Sequence, residues 1–171
     1  MMRREKLLAI ISSPDLHLGG GDGYALVVTD GRIVGSGRPG PAGVSVPRLW
    51  SATGSSEADR AEAEKDAADL IGRRQFELSK ESIYKIVYDA PGLFFAGRVV
   101  FEAVGGRVQL GISSPSVWDP NGVLTVRALV GSLLAFAPEK LYNERTGGLV
   151  SDGDASRRNS GLIRRIWPAA V

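Results

Sequence analysis

The sequence predicts an α+β domain, and three observations carry that prediction. Two stretches close into hairpins with glycine in the turn. One long helix near the end has a strong apolar stripe, and no alternating strand–helix–strand rhythm joins the elements. A chain of 171 residues suits one domain that buries about two thirds of its unfolded surface. Hydrophobic residues make up 43% and charged residues 23%, which is ordinary globular usage and argues against wholesale disorder.

The elements follow in chain order. The apolar run at residues 7–11 is shorter than a signal-peptide core, and no stretch reaches the ~20 apolar residues of a membrane-spanning helix. A cytoplasmic location is therefore expected, with peripheral membrane contact as its variant. Residues 24–35, YALVVTDGRIVG, form a hairpin in which Asp30-Gly31 turns the chain. That turn sets Val28 opposite Ile33 and Val27 opposite Val34, and both faces are apolar, as in a strand pair covered on each side. Residues 35–56, rich in Gly, Pro and Ser, read as a loop.

Residues 57–71 predict a helix with Ser56 as N-cap, acidic residues in the first turn and Gly72 at its end. Its apolar stripe (Ala63, Ala67, Leu70, Ile71) is thin, which places it on the surface. Strands are expected at 75–78 and 83–88, followed by a Pro91-Gly92 turn. Residues 98–112, RVVFEAVGGRVQLGI, give the clearest hairpin. A turn at Gly105-Gly106 pairs Ala103 with Val108, Phe101 with Leu110 and Val99 with Ile112 on one apolar face. Glu102 with Gln109 and Val104 with Arg107 fall on the other. A second helix starts at Asp119-Pro120 and presents Val126, Leu129, Val130, Leu133 and Ala137 to a core. Pro138 ends or kinks it, and residues 139–145 add a further turn or two. The division expected is one domain over 1–145, with an insertion at 39–74, and a basic-apolar tail over 146–171.

Composition narrows the chemistry. The chain has no cysteine and a single histidine, His17, so no thiolate chemistry and no Cys/His metal cluster is expected. A formal net charge of +2 gives no reason to expect nucleic acid as a partner. Scarce Gln, Asn and Met with Arg in excess of Lys suit a heat-adapted source, and equally a GC-rich genome. Gly35, Gly37 and Gly40 match G-x-G-x-x-G, but Pro39, Pro41 and Pro47 prevent the helix that a dinucleotide site requires. Ser12, Ser13, Asp15 and His17 include the residue types of a hydrolytic triad, without evidence of its geometry. Asp152-Gly153-Asp154 begins like a calcium loop, but Arg157 and Ile163 stand where that loop needs glycine and glutamate. No cofactor is expected.

The C-terminal run is the segment singled out for contact with a partner. Arg157, Arg158, Arg164 and Arg165 lie beside Ile166 and Trp167, with no acidic residue after Asp154. Such a run suits an anionic membrane surface or an acidic groove on a partner.

The strings VVTDGRIVG (27–35), SKESIYKI (79–86) and GRVVFEAVGGRVQLGIS (97–113), with the apolar helix after them, resemble bacterial PH-like and GRAM-like domains over about residues 24–138. The resemblance implies a strongly bent antiparallel sheet or partly open barrel, a C-terminal capping helix and an inserted surface helix. Where lipid-binding relatives of that group have a long basic first loop, this chain has only Asp30-Gly31, so phosphoinositide binding is not implied. The function expected is a non-enzymatic binding module acting through protein contacts, self-association or a membrane surface. The alternative is an enzyme using Asp15, Asp30 or Asp89 in a cleft.

Overall fold

The computed structural model describes residues 4–19, 23–38, 47–92, 94–113 and 120–153. Through them run β1 (Leu7–Ser13), β2 (Leu16–His17), β3 (Tyr24–Thr29), β4 (Arg32–Gly37), β5 (Arg48–Ser51) and α1 (Glu57–Gly72). There follow β6 (Phe76–Ser79), β7 (Ile83–Asp89), β8 (Gly97–Ala103), β9 (Gly106–Ile112), α2 (Pro120–Phe136), a 3-10 turn at Pro138–Lys140 and β10 (Leu141–Asn143). The α+β class is as the sequence predicts. The strands form two five-stranded, mostly antiparallel sheets, ordered β5-β1-β3-β4-β6 and β10-β7-β8-β9-β2, neither closed into a barrel. Both sheets end in strands of only two to four residues, too short to carry a ladder round to closure.

In the first sheet the hairpin β3–β4 forms in the expected register, with Val27 opposite Val34 and Val28 opposite Ile33. Both its faces are buried. Ala25, Val27 and Val34, with Ile10 of β1, meet Ala63, Ala67 and Leu70 of α1. Leu26, Val28 and Ile33 turn the other way into the main core, which α2 and the second sheet complete through Leu129, Leu133, Phe136, Ile86 and Phe101. The order is therefore α1, first sheet, then one core shared with α2 and the inner face of the second sheet. α1 starts at a capping box, with Ser56 Oγ accepting from the Asp59 amide at 3.1 Å and the Asp59 carboxylate answering the Ser56 amide.

β1 is the apolar run at residues 7–11, here a strand flanked by β3 and β5. A continuous apolar run belongs on a strand covered from both sides. β5 lies within the Gly/Pro-rich stretch read as loop and sets Trp50 opposite Ile10.

The second sheet corrects two expectations. The β8–β9 hairpin turns at Val104-Gly105, so that Phe101 faces Val108 and Val99 faces Leu110. The register is displaced by two residues from the predicted one. Since side chains alternate with a period of two, Val99, Phe101, Leu110 and Ile112 keep the buried face regardless. Gly105 fixes the turn with φ of 95°, a value that favours glycine. After Pro138 the chain makes the single 3-10 turn and then a strand, not more helix. β10 pairs in parallel with β7, Tyr142 beside Val87, and Val150 is buried against the core with its amide bonded to Leu141 O at 2.9 Å.

Candidate functional site

The outer face of the second sheet carries the polar half of its alternating pattern. Cross-strand registers bring Lys85, Glu102 and Arg107 into one row and Tyr142, Val87, Val100 and Gln109 into the next. Asp89 and Arg98 head a third row. From these rows Lys85, Glu102, Arg107, Tyr142, Val87, Val100 and Arg98, together with Asn143, Glu144 and Gly147, line an open groove of about 280 Å³.

Charge pairs set the electrostatics of the groove. Arg98 donates to Glu144 through both edges, Nε to Oε2 at 3.1 Å and Nη2 to Oε1 at 2.5 Å. This hydrogen-bonded pairing raises the Arg98 pKa and lowers that of Glu144, with Arg107 adding to the second effect. Arg145 donates from Nε to Asp89 Oδ1 at 3.0 Å and from Nη2 to Ala90 O at 2.9 Å. Lys85 Nζ stands 5.6 Å above the Tyr142 ring, within cation–π range. A carboxylate held ionised by bidentate arginine is a poor general acid near neutrality, and what this face offers a ligand is fixed charge of both signs over an apolar strip.

The residues singled out from sequence are dispersed. Arg157, Arg158, Arg164, Arg165 and Trp167 lie outside the described residues, as do Asp154 and Gly40. Asp15 follows the end of β1 that pairs with Tyr24, whereas Asp30 follows the far end of β3, its Oδ1 accepting from the Lys6 amide at 2.9 Å. Asp89 belongs to the other sheet. Ser13 Oγ stands 2.9 Å from Thr125 Oγ1, while His17 Nε2 lies 2.6 Å from Ser113 Oγ. Gly35, first glycine of the dinucleotide-like string, is a packing glycine within β4: a Cβ there would come 2.1 Å from the Phe76 ring. Among the described residues no group of three His, Cys, Asp or Glu is placed to hold a metal ion.

Sequence reasoning placed Glu102, Gln109 and Arg107 on a polar face but not the groove. The missing wall comprises Tyr142, Asn143 and Glu144, in a segment read as helix. Among the described residues no helix is long and apolar enough to cross a membrane. No protein-family model, curated protein or solved structure matches this chain.

Proposed function

We propose that the chain is a non-enzymatic binding module on a PH-like scaffold, engaging its partner through the outer face of the second sheet. The observation that carries the reading is the groove walled by the Arg98–Glu144 pair, built on paired strands instead of mobile loops. Ligands that lie across a sheet face need such a preorganised surface. The scaffold reading rests on two hairpin-built, mostly antiparallel sheets sharing one core with α2. The partner class is a protein, a second copy of the chain or an anionic membrane surface, and Arg157, Arg158, Arg164, Arg165 and Trp167 are the contacts proposed for the last of these.

The test compares the full chain, a chain ending at Val150 and an Arg98→Ala/Glu144→Ala variant. Each is floated on anionic vesicles at low and high salt and sized by light scattering. Vesicle binding that is salt-sensitive and needs the tail, or self-association that needs the Arg98–Glu144 pair, supports the module. A monomer that ignores vesicles yet turns over a substrate, with loss on replacing Asp89, sinks it.

A further inference from the structure

Phe94 and Phe95 are 86% and 70% exposed, side by side in the connection between β7 and β8. Exposed phenylalanines in sequence are costly to keep in water, and nothing in the core requires them there. The base of the connection is tied down. The Gly92 amide donates to Phe95 O at 2.9 Å, and Arg145 grips both Asp89 and Ala90 O. Charge at the base is matched pairwise, Asp89 by Arg145 and Glu144 by Arg98. The result is an apolar tip on a charge-balanced collar.

Size decides what fits it. Two such rings offer about 300 Å² of apolar surface, against roughly 800 Å² per partner in a stable protein interface. A protruding tip of this kind needs a medium that moulds around it. A bilayer surface does so: apolar side chains enter the headgroup–acyl boundary to a depth of about 5–10 Å, and arginines at the rim reach lipid phosphates. We infer that Phe94 and Phe95 anchor the protein to a lipid surface that need not be anionic, with Arg98 and Arg145 at headgroup level. The inference rests on the reading of the chain as an interaction module, but not on its basic tail.

The experiment is flotation of the full chain on pure phosphatidylcholine vesicles at low and high salt. The variants are Phe94→Ala, Phe95→Ala, the double variant, and Val104→Ala as control, since Val104 is an exposed apolar residue at the opposite end of β8. Apolar insertion predicts binding that is insensitive to salt, falls about tenfold or more per ring removed and is unchanged by Val104→Ala. Thermal melting of each variant reports on folding, which loss of these exposed rings leaves intact. Absence of wild-type binding to phosphatidylcholine, or binding equal in the double variant, overturns the anchor. Loss of self-association in the double variant, with no lipid binding, overturns it in favour of a protein contact. If the anchor fails while contacts dependent on the Arg98–Glu144 pair persist, the module survives without it.

Discussion

Arg98 on β8 holds Glu144, the residue that follows β10, through two guanidinium hydrogen bonds of 3.1 and 2.5 Å. The pair closes one wall of the groove and joins three segments of the second sheet, because the Glu144 amide also bonds to Tyr88 O of β7 at 2.9 Å. Glu144 has a folded pKa below its ordinary value. A depressed carboxylate contributes stability above its unfolded pKa and loses it as pH falls through the folded one. Carboxyl NMR titration of Glu144 is expected to give a midpoint below the ordinary glutamate range, returning to that range in Arg98→Ala. Any stability gap between wild type and Glu144→Gln should close in acid and shrink in salt. An unshifted midpoint would show that the pair does not persist in solution.

Gly35 is where β4 makes room for an aromatic ring. It lies opposite Phe76 of β6, whose ring occupies the space of a Cβ and stacks on Tyr24 with centroids 6.1 Å apart. Gly35→Ala must push the ring off its stack, a destabilisation of about 1–3 kcal/mol by overpacking. Phe76→Leu in the same background should recover part of that loss in denaturant titration. Additive effects of the two changes would separate the residues.

The two hairpins were legible because their turns contain glycine and their faces sort by hydrophobicity, and Ser56 marked the start of α1 through its cap. The second hairpin shows where such reading stops. Ala103 through Arg107 admits a turn at either Val104-Gly105 or Gly105-Gly106, and a two-residue displacement leaves every buried side chain buried. Face was readable and partner was not. β5 was hidden because a four-residue edge strand with half-exposed side chains has no period to detect. β10 was hidden because Leu141, Tyr142 and Asn143 become a strand only through parallel pairing with β7, more than fifty residues earlier. The groove depends on that pairing, so it was invisible from local sequence. The Phe94–Phe95 tip had a signal, adjacent aromatics between two strands, but exposure had to be seen.

Tyr24 is buried, and its hydroxyl donates to Gln75 Oε1 at 2.9 Å. Burial pushes its phenol from 10.0 up to about 12. The folded state thus favours the neutral form, so this contribution is complete below pH 10.0 and is lost as pH rises towards about 12. Tyr24→Phe keeps the stack on Phe76 but leaves Gln75 without this donor, at a cost of about 1 kcal/mol near neutrality. Between those two pH values wild-type stability should fall relative to that of Tyr24→Phe, which has no phenol to ionise. Parallel curves for the two proteins across that window would mean the phenol titrates normally.

Lys140 ends the 3-10 turn with its ammonium on two carbonyls, Lys80 O at 2.8 Å and Ile83 O at 2.7 Å. It thereby ties the chain after α2 to the turn that enters β7. Hydrogen bonds from a charged donor contribute more than neutral ones, so Lys140→Met should cost about 1.5–3 kcal/mol. The loss should be much the same at high salt, because the acceptors are carbonyls and not carboxylates. A salt-dependent loss, or none, would point to a different partner.

A chain of hydroxyls fastens α2 to the first sheet, and its direction can be worked out. Thr125 Oγ1 donates to Asn121 O, one turn earlier in α2, at 2.9 Å. Its proton is then committed, so the 2.9 Å contact with Ser13 Oγ makes Ser13 the donor and Thr125 the acceptor. Ser13 Oγ in turn accepts from the Asp15 amide at 3.1 Å. The order runs from the Asp15 amide to Ser13, to Thr125, to Asn121 O. Ser13→Ala deprives the amide of its acceptor and Thr125 of its donor, and should cost about 1–2 kcal/mol. Thr125→Val keeps the shape but takes away this acceptor of the Ser13 proton and leaves it Asp15 Oδ2 at a long 3.5 Å. The double variant should be less destabilised than the sum of the two, with a coupling of about 0.5–1.5 kcal/mol in a denaturant cycle. Zero coupling would mean that α2 is held to β1 by its apolar stripe alone, and that these hydroxyls merely coincide.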